Sequence, residues 1–131
     1  GNSSFVNNSA LGLLSVRSAG AAIAVVDEAE DDLLFSVSDT RFIGNSAERG
    51  GAIYIHTSAS VLSVHSVRNC VFAHNVATGT VSSDEFVPPA PHDGGGAMFV
   101  RGLHSQLTVS ESRFERNQAR LAGGSLFVWC A

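Results

Sequence analysis

Lysine is absent from this chain; all eight of its cations are arginine. Twelve acidic side chains bring the formal net charge to −4. No basic block exists to neutralise a phosphate backbone, so no nucleic-acid partner is expected. No apolar run approaches the roughly 20 residues of a membrane-spanning helix. The opening Gly1-Asn2-Ser3-Ser4 has neither the positive nor the apolar stretch of a secretory signal. Prolines number three, all within Val87-Pro88-Pro89-Ala90-Pro91. Two cysteines, Cys70 and Cys130, are too few to decide a redox compartment. The histidines His56, His65, His74, His92 and His104 show no metal-ligand spacing, and neither metal nor cofactor is expected.

What is present is repetition. Phe-x-x-Asn-x-Ala occurs four times, as Phe5/Asn8/Ala10, Phe42/Asn45/Ala47, Phe72/Asn75/Ala77 and Phe114/Asn117/Ala119. Each copy is followed by a small-residue turn and an apolar run: Gly20-Ala21-Ala22-Ile23, Gly50-Gly51-Ala52-Ile53, Gly95-Gly96-Ala97-Met98 and Gly123-Gly124-Ser125-Leu126. A third segment leads to the next Phe, and Phe35-Ser36-Val37-Ser38-Asp39-Thr40-Arg41-Phe42 is nearly duplicated by Leu107-Thr108-Val109-Ser110-Glu111-Ser112-Arg113-Phe114.

Spacing gives the diagnosis. Ile23 to Phe42 and Ile53 to Phe72 are both 19 residues, and Met98 to Phe114 is 16. From motif Ala to Gly turn the gap runs 10, 3, 18 and 4. One arc is nearly fixed while one corner accepts insertions, as a solenoid requires: stacked strands keep register and surface corners need not. The apolar runs alternate with period two, with Ile53 and Ile55 opposite Tyr54 and His56, and Gly pairs punctuate them. The expected fold is therefore all-β: a right-handed parallel β-helix of about four coils over residues 1–131, with three short strands per turn and a corner insertion at 78–94.

Phe-x-x-Asn joined to Gly-Gly-Ala-Ile resembles the repeat of the polymorphic outer membrane proteins, autotransporter-like surface adhesins. Similar repeats also occur in large extracellular proteins of algae and other microbes. The resemblance implies a β-helical passenger, surface exposure and adhesion. Gly20-Ala21 in place of a Gly pair, Ser125 in place of Ala and the 78–94 insertion depart from the pattern.

Equivalent residues of successive coils stack about 4.8 Å apart in such a fold. Phe5, Phe42, Phe72 and Phe114 are then expected to stack in the core, and Asn8, Asn45, Asn75 and Asn117 to form an internal amide ladder bonded to turn backbone. Ile23, Ile53, Met98 and Leu126 should point inward, followed by Val25, Ile55, Val100 and Val128. The outward set contains Tyr54, Phe99 and Phe127, with Trp129 beside them. An exposed aromatic stripe would be a contact surface for protein or for a sugar, unless the insertion or a neighbouring segment covers it.

Chemistry-bearing clusters are sparse. Asp27-Glu28-Ala29-Glu30-Asp31-Asp32 lacks an EF-hand arrangement and reads as a solvated loop. Asp39, Asn69 and Glu111, with Arg41 and Arg113 nearby, are the candidates for a carbohydrate-cleaving groove, yet Asn69 separates the two acids. Cys70 occupies the slot of Thr40 and Ser112 and is expected as a buried free thiol, unpaired with Cys130. The proline segment either recognises a partner or is tolerated at a permissive corner. Asn2 and Asn7 lie in sequons that matter only if a eukaryotic cell secretes the chain.

The expected role is a non-catalytic structural or adhesive spine of a secreted or cell-surface protein. Its partners would be proteins, by end-to-end or lateral packing, or a glycan. A polysaccharide-binding or polysaccharide-cleaving β-helix is the alternative. The chain opens just before one motif and closes just after a strand, so continuation by further coils or stacked subunits is expected.

Overall fold

The structure is a computed structural model that describes residues 2–10, 20–27, 32–57, 62–79, 94–102, 104–120 and 122–129. Among these there is no helix. Fourteen strands run in the order β1 (Ser3–Val6), β2 (Ile23–Asp27), β3 (Leu33–Ser38), β4 (Thr40–Ile43), β5 (Ser46–Ala47), β6 (Ile53–Thr57), β7 (Leu62–Arg68), β8 (Val71–Ala73), β9 (Val76–Ala77), β10 (Met98–Arg101), β11 (His104–Ser110), β12 (Arg113–Glu115), β13 (Gln118–Ala119) and β14 (Leu126–Trp129).

Every strand pairs in parallel with its counterpart one coil away, giving sheets β1-β4-β8-β12, β2-β6-β10-β14, β3-β7-β11 and β5-β9-β13. Among the described residues no strand pairs with its neighbour in sequence, which is the signature of a parallel β-helix rather than a closed barrel. The register matches equivalents throughout: Phe5 with Phe42, Phe42 with Phe72, Phe72 with Phe114, and Ile53 with both Ile23 and Met98. The coil has four walls rather than the three expected. The extra wall is the two-residue strand carrying the motif Ala, too short to leave a periodicity in the sequence.

The corners explain the punctuation. Between the third wall and the Phe wall, Asp39, Asn69 and Glu111 take left-handed φ of 52°, 50° and 51°. After the Phe wall the same conformation falls on Asn7, Gly44, His74 and Arg116. At the third corner it falls on glycine, as at Gly50 with φ 54°, where a Cβ costs roughly 1–2 kcal/mol. Gly51 answers a different constraint: a Cβ there would run into the Gly96 carbonyl oxygen and the Val76 backbone. The Gly pair thus serves one tight turn and one close approach of stacked main chains.

The core fills the middle coils. Phe42, Phe72, Ile53, Ile55, Met98, Val100 and Val67 are fully buried, and Phe5, Ile23, Val25, Phe35, Val37, Leu107 and Phe114 pack against them. Leu126 and Val128 share the columns of Met98 and Val100 but are 38 and 43 % exposed, because β14 is the outermost strand of its sheet.

Candidate functional site

The Phe column is a continuous stack. Ring centroids are 5.3 Å apart for Phe5–Phe42, 4.8 Å for Phe42–Phe72 and 4.7 Å for Phe72–Phe114, with interplanar angles of 4–6°. Parallel register fixes the Cα spacing, so the rings lie nearly parallel.

Three residues further on, the Asn column is a polar wire. Asn45 Oδ1 accepts both the backbone N–H and Nδ2 of Asn8, at 3.1 and 2.9 Å. Asn75 Oδ1 accepts the same two groups of Asn45 at 3.0 Å each, and Asn117 Oδ1 those of Asn75 at 3.0 and 2.9 Å. Each Nδ2 also donates backward to a Phe-wall carbonyl: Asn45 to Phe5, Asn75 to Phe42 and Asn117 to Phe72. Asn45 and Asn75 are fully buried, and the four bonds at each amide satisfy backbone that the corner would otherwise strand. Such amides have no spare group to offer a ligand.

The aromatic stripe differs from the expected open surface. Tyr54, Phe99 and Phe127 stack at 5.3 Å per step, at 17° and 18°. Phe99, between the other two, loses both ring faces to its neighbours. It is 1 % exposed and Tyr54 is 5 % exposed, while Phe127 is half-buried. Tyr54 and Phe99 are therefore not an exposed contact surface. Trp129 pairs with Arg101 through its backbone. Most of the insertion 78–94, Cys130, His92 and most of the acidic segment 27–32 lie outside the described residues.

The candidate carboxylates do not converge on a common point. Asp39 is exposed and accepts Asn69 Nδ2 at 2.7 Å; that bond, aided by Ser38, holds its carboxyl below the ordinary value. Glu111 faces Arg68 at 3.6 Å with both side chains largely in solvent, and Arg113 pairs with Glu115. These are surface pairs of small energetic consequence. A shallow depression lined by Asn2, Ser3, Ser4, Asp39, Thr40, Arg41, Asn69 and Val71 adjoins them. Among the described residues, no group of three or more His, Cys, Asp or Glu is placed to hold a metal ion.

The column of Thr40, Cys70 and Ser112, one slot in the sequence, repeats a single kind of bond. The side chain of each donates to the carbonyl two residues back, across the left-handed corner: to Ser38 at 2.7 Å, Arg68 at 3.2 Å and Ser110 at 2.8 Å. Burial pushes the Cys70 thiol above its ordinary value and keeps it protonated. Thr57, Ser63 and Ser105 close a hydroxyl triangle, with Ser63–Ser105 at 2.8 Å. His65 is fully buried in the column of Phe35 and Leu107, and burial holds its imidazole below the ordinary value. The hydroxyl triangle and the burial of His65 were not singled out from sequence, although the register of the wall carrying Phe35 and Leu107 places His65 in their column.

The fold and its columns define a class: a parallel β-helical solenoid whose coils are locked by Phe and Asn ladders. Residues 39–56 match the family model described as the Chlamydia polymorphic membrane protein (Chlamydia_PMP) repeat. The match runs from the left-handed corner at Asp39 through β4 and β5 and almost to the end of β6, so it covers one Phe–Asn–Ala motif with its Gly turn. No curated protein and no solved structure matches the chain.

Proposed function

We propose that this chain is a non-catalytic β-helical spine of a cell-surface or secreted protein, displaying its outer walls to protein partners. The observation that carries the reading is the use of the interior. The Phe and Asn columns spend their rings and amides on the next coil, and a polymorphic membrane protein repeat lies at the centre of this lattice. Such a lattice makes a long rigid surface. The candidate groove carboxylates, Asp39 and Glu111, are exposed and separately engaged, which supports a structural over a hydrolytic role.

The test uses intact cells of the producing organism and beads coated with the chain. Protease or impermeant labelling should reach it on intact cells, and coated beads should adhere to a protein-bearing surface more than beads carrying a scrambled control. Strictly intracellular protection overturns the surface assignment. Turnover of a polyuronate by the purified chain, lost in Asp39→Asn, overturns the non-catalytic one.

A further inference from the structure

The wall β3-β7-β11 holds one side chain at odds with its surroundings. His65 is fully buried, and among the described residues neither Nδ1 nor Nε2 has a hydrogen-bond partner. Its register mates are Phe35 and Leu107, and its ring stands edge-on to Phe35 at 6.4 Å and 60°. On its own strand the inward neighbours are Ser63 and Val67. The interior against which Phe35 and Leu107 pack consists of Phe42, Phe72, Ile53, Ile55, Met98, Val100, Val67 and small residues, with the neutral Cys70 thiol as its titratable member. Arg68 at the end of β7, His104 on β11 and Arg41 on β4 are all exposed. The buried carboxylate among the described residues, Glu48 at the corner after β5, makes no hydrogen bond to His65.

A neutral imidazole fits this slot as an aromatic filler, leaving two polar nitrogens without partners. A protonated one would place an uncompensated charge in an apolar column, a far larger penalty. We propose that His65 is an acid-sensitive trigger, whose protonation opens the coil containing β7 and loosens the solenoid at its middle. The opened coil takes up its proton near the ordinary value of 6.5, whereas the folded coil resists it because burial disfavours the charged form. Stability from this residue is therefore complete above about 6.5. It falls as pH drops below that value, by up to about tenfold in the opening equilibrium per pH unit, until the lower folded value is reached. The other described histidines, His56, His74 and His104, are half-buried or exposed.

The full chain is melted by circular dichroism at intervals from pH 7.5 to 5, beside His65→Leu, which copies Leu107, and the exposed-site control His104→Gln. The wild type should lose stability below about pH 6.5 with a slope near one proton, the control should keep that slope, and His65→Leu should lose it. Retention of the full slope in His65→Leu overturns the proposal. Should leucine not fold, His65→Phe copies Phe35. Independently, the wild-type imidazole followed by NMR should stay neutral in the folded chain at pH 6; a folded-state midpoint near 6.5 also overturns the proposal.

Discussion

The wall of β1, β4, β8 and β12 and the wall of β3, β7 and β11 belong to the same coils but are built by opposite rules. On the first, one column repeats a single residue in every coil, Phe5, Phe42, Phe72 and Phe114, and the adjoining corner repeats Asn8, Asn45, Asn75 and Asn117. On the second, two of the three inward levels mix types, Leu33 with Ser63 and Ser105 and Phe35 with His65 and Leu107, while Val37, Val67 and Val109 repeat one residue. Both are in perfect register. Register therefore does not need identity on every wall. It needs one wall where mismatch is costly, and the Phe–Asn side supplies it because a slip by one residue would break the ring stack and the amide wire together. The other wall is then free to vary, and its tolerance is what admits hydroxyls and a histidine into the interior.

The largest expected effect follows from the uniform wall. Phe72→Ala removes a fully buried ring stacked on both sides, and should cost about 3–5 kcal/mol. Leu107→Ala, half-buried on the outermost strand of the mixed wall, should cost clearly less, about 2 kcal/mol. Denaturant melts of the two variants read the difference directly. Equal losses would break the distinction between walls.

Asn45→Leu comes next. It leaves the backbone and side-chain N–H groups of Asn8 and the Phe5 carbonyl without the Asn45 amide, and should cost about 2–4 kcal/mol. The comparison residue is Asn7, which donates no ladder bond and sits at φ 53°. Asn7→Gly should change stability by no more than a few tenths of a kcal/mol, whereas Asn7→Leu should cost roughly 1 kcal/mol from backbone strain alone. A melting shift for Asn45→Leu no larger than that for Asn7→Leu would sink the wire as a source of stability.

This contrast also explains what the sequence discloses. The Phe and Asn columns and the Gly turn are legible because a solenoid stacks like on like, so tokens that recur at one interval must touch. The alternation in β6 and β10 separates Ile53, Ile55, Met98 and Val100 from the opposite face for the same reason. The two-residue wall was not legible, since Ser46–Ala47 is too short to show a period. Neither was the second corner, where Asn7, Gly44, His74 and Arg116 share one φ but no chemistry. The burial of Tyr54 and Phe99 could not be read either. Alternation tells which face a residue takes, not whether that face meets water.

The mixed wall should prove forgiving where a polar group has a substitute partner. Ser63→Ala deletes one vertex of the hydroxyl triangle, but Thr57 and Ser105 remain 3.3 Å apart and Thr57 can still reach the Arg101 carbonyl at 3.4 Å. A loss of about 1 kcal/mol or less is expected by chemical denaturation. A loss matching that of Asn45→Leu would place a second register lock in this wall.

The smallest effect should fall on the corner between the two walls, where chemical type is preserved although residue identity is not. Cys70 donates its thiol to the Arg68 carbonyl at 3.2 Å, as Thr40 does to Ser38 and Ser112 to Ser110. Its own N–H is bound by Ser112 Oγ at 3.1 Å, and its sulfur receives the Thr40 backbone N–H. What the column conserves is one small side chain able both to donate across a left-handed residue and to accept from the coil before it. A hydroxyl does both more strongly than a thiol, and Thr40 shows that the extra methyl fits this column at 4 % exposure. Cys70→Thr should therefore shift stability by no more than about 0.5 kcal/mol in either direction, while Cys70→Ala, which forfeits both bonds, should cost about 1 kcal/mol. If Cys70→Thr instead melts as early as Phe72→Ala, sulfur packing rather than the relay of donors holds this corner. Preserved chemistry would then not be enough to keep a column in register.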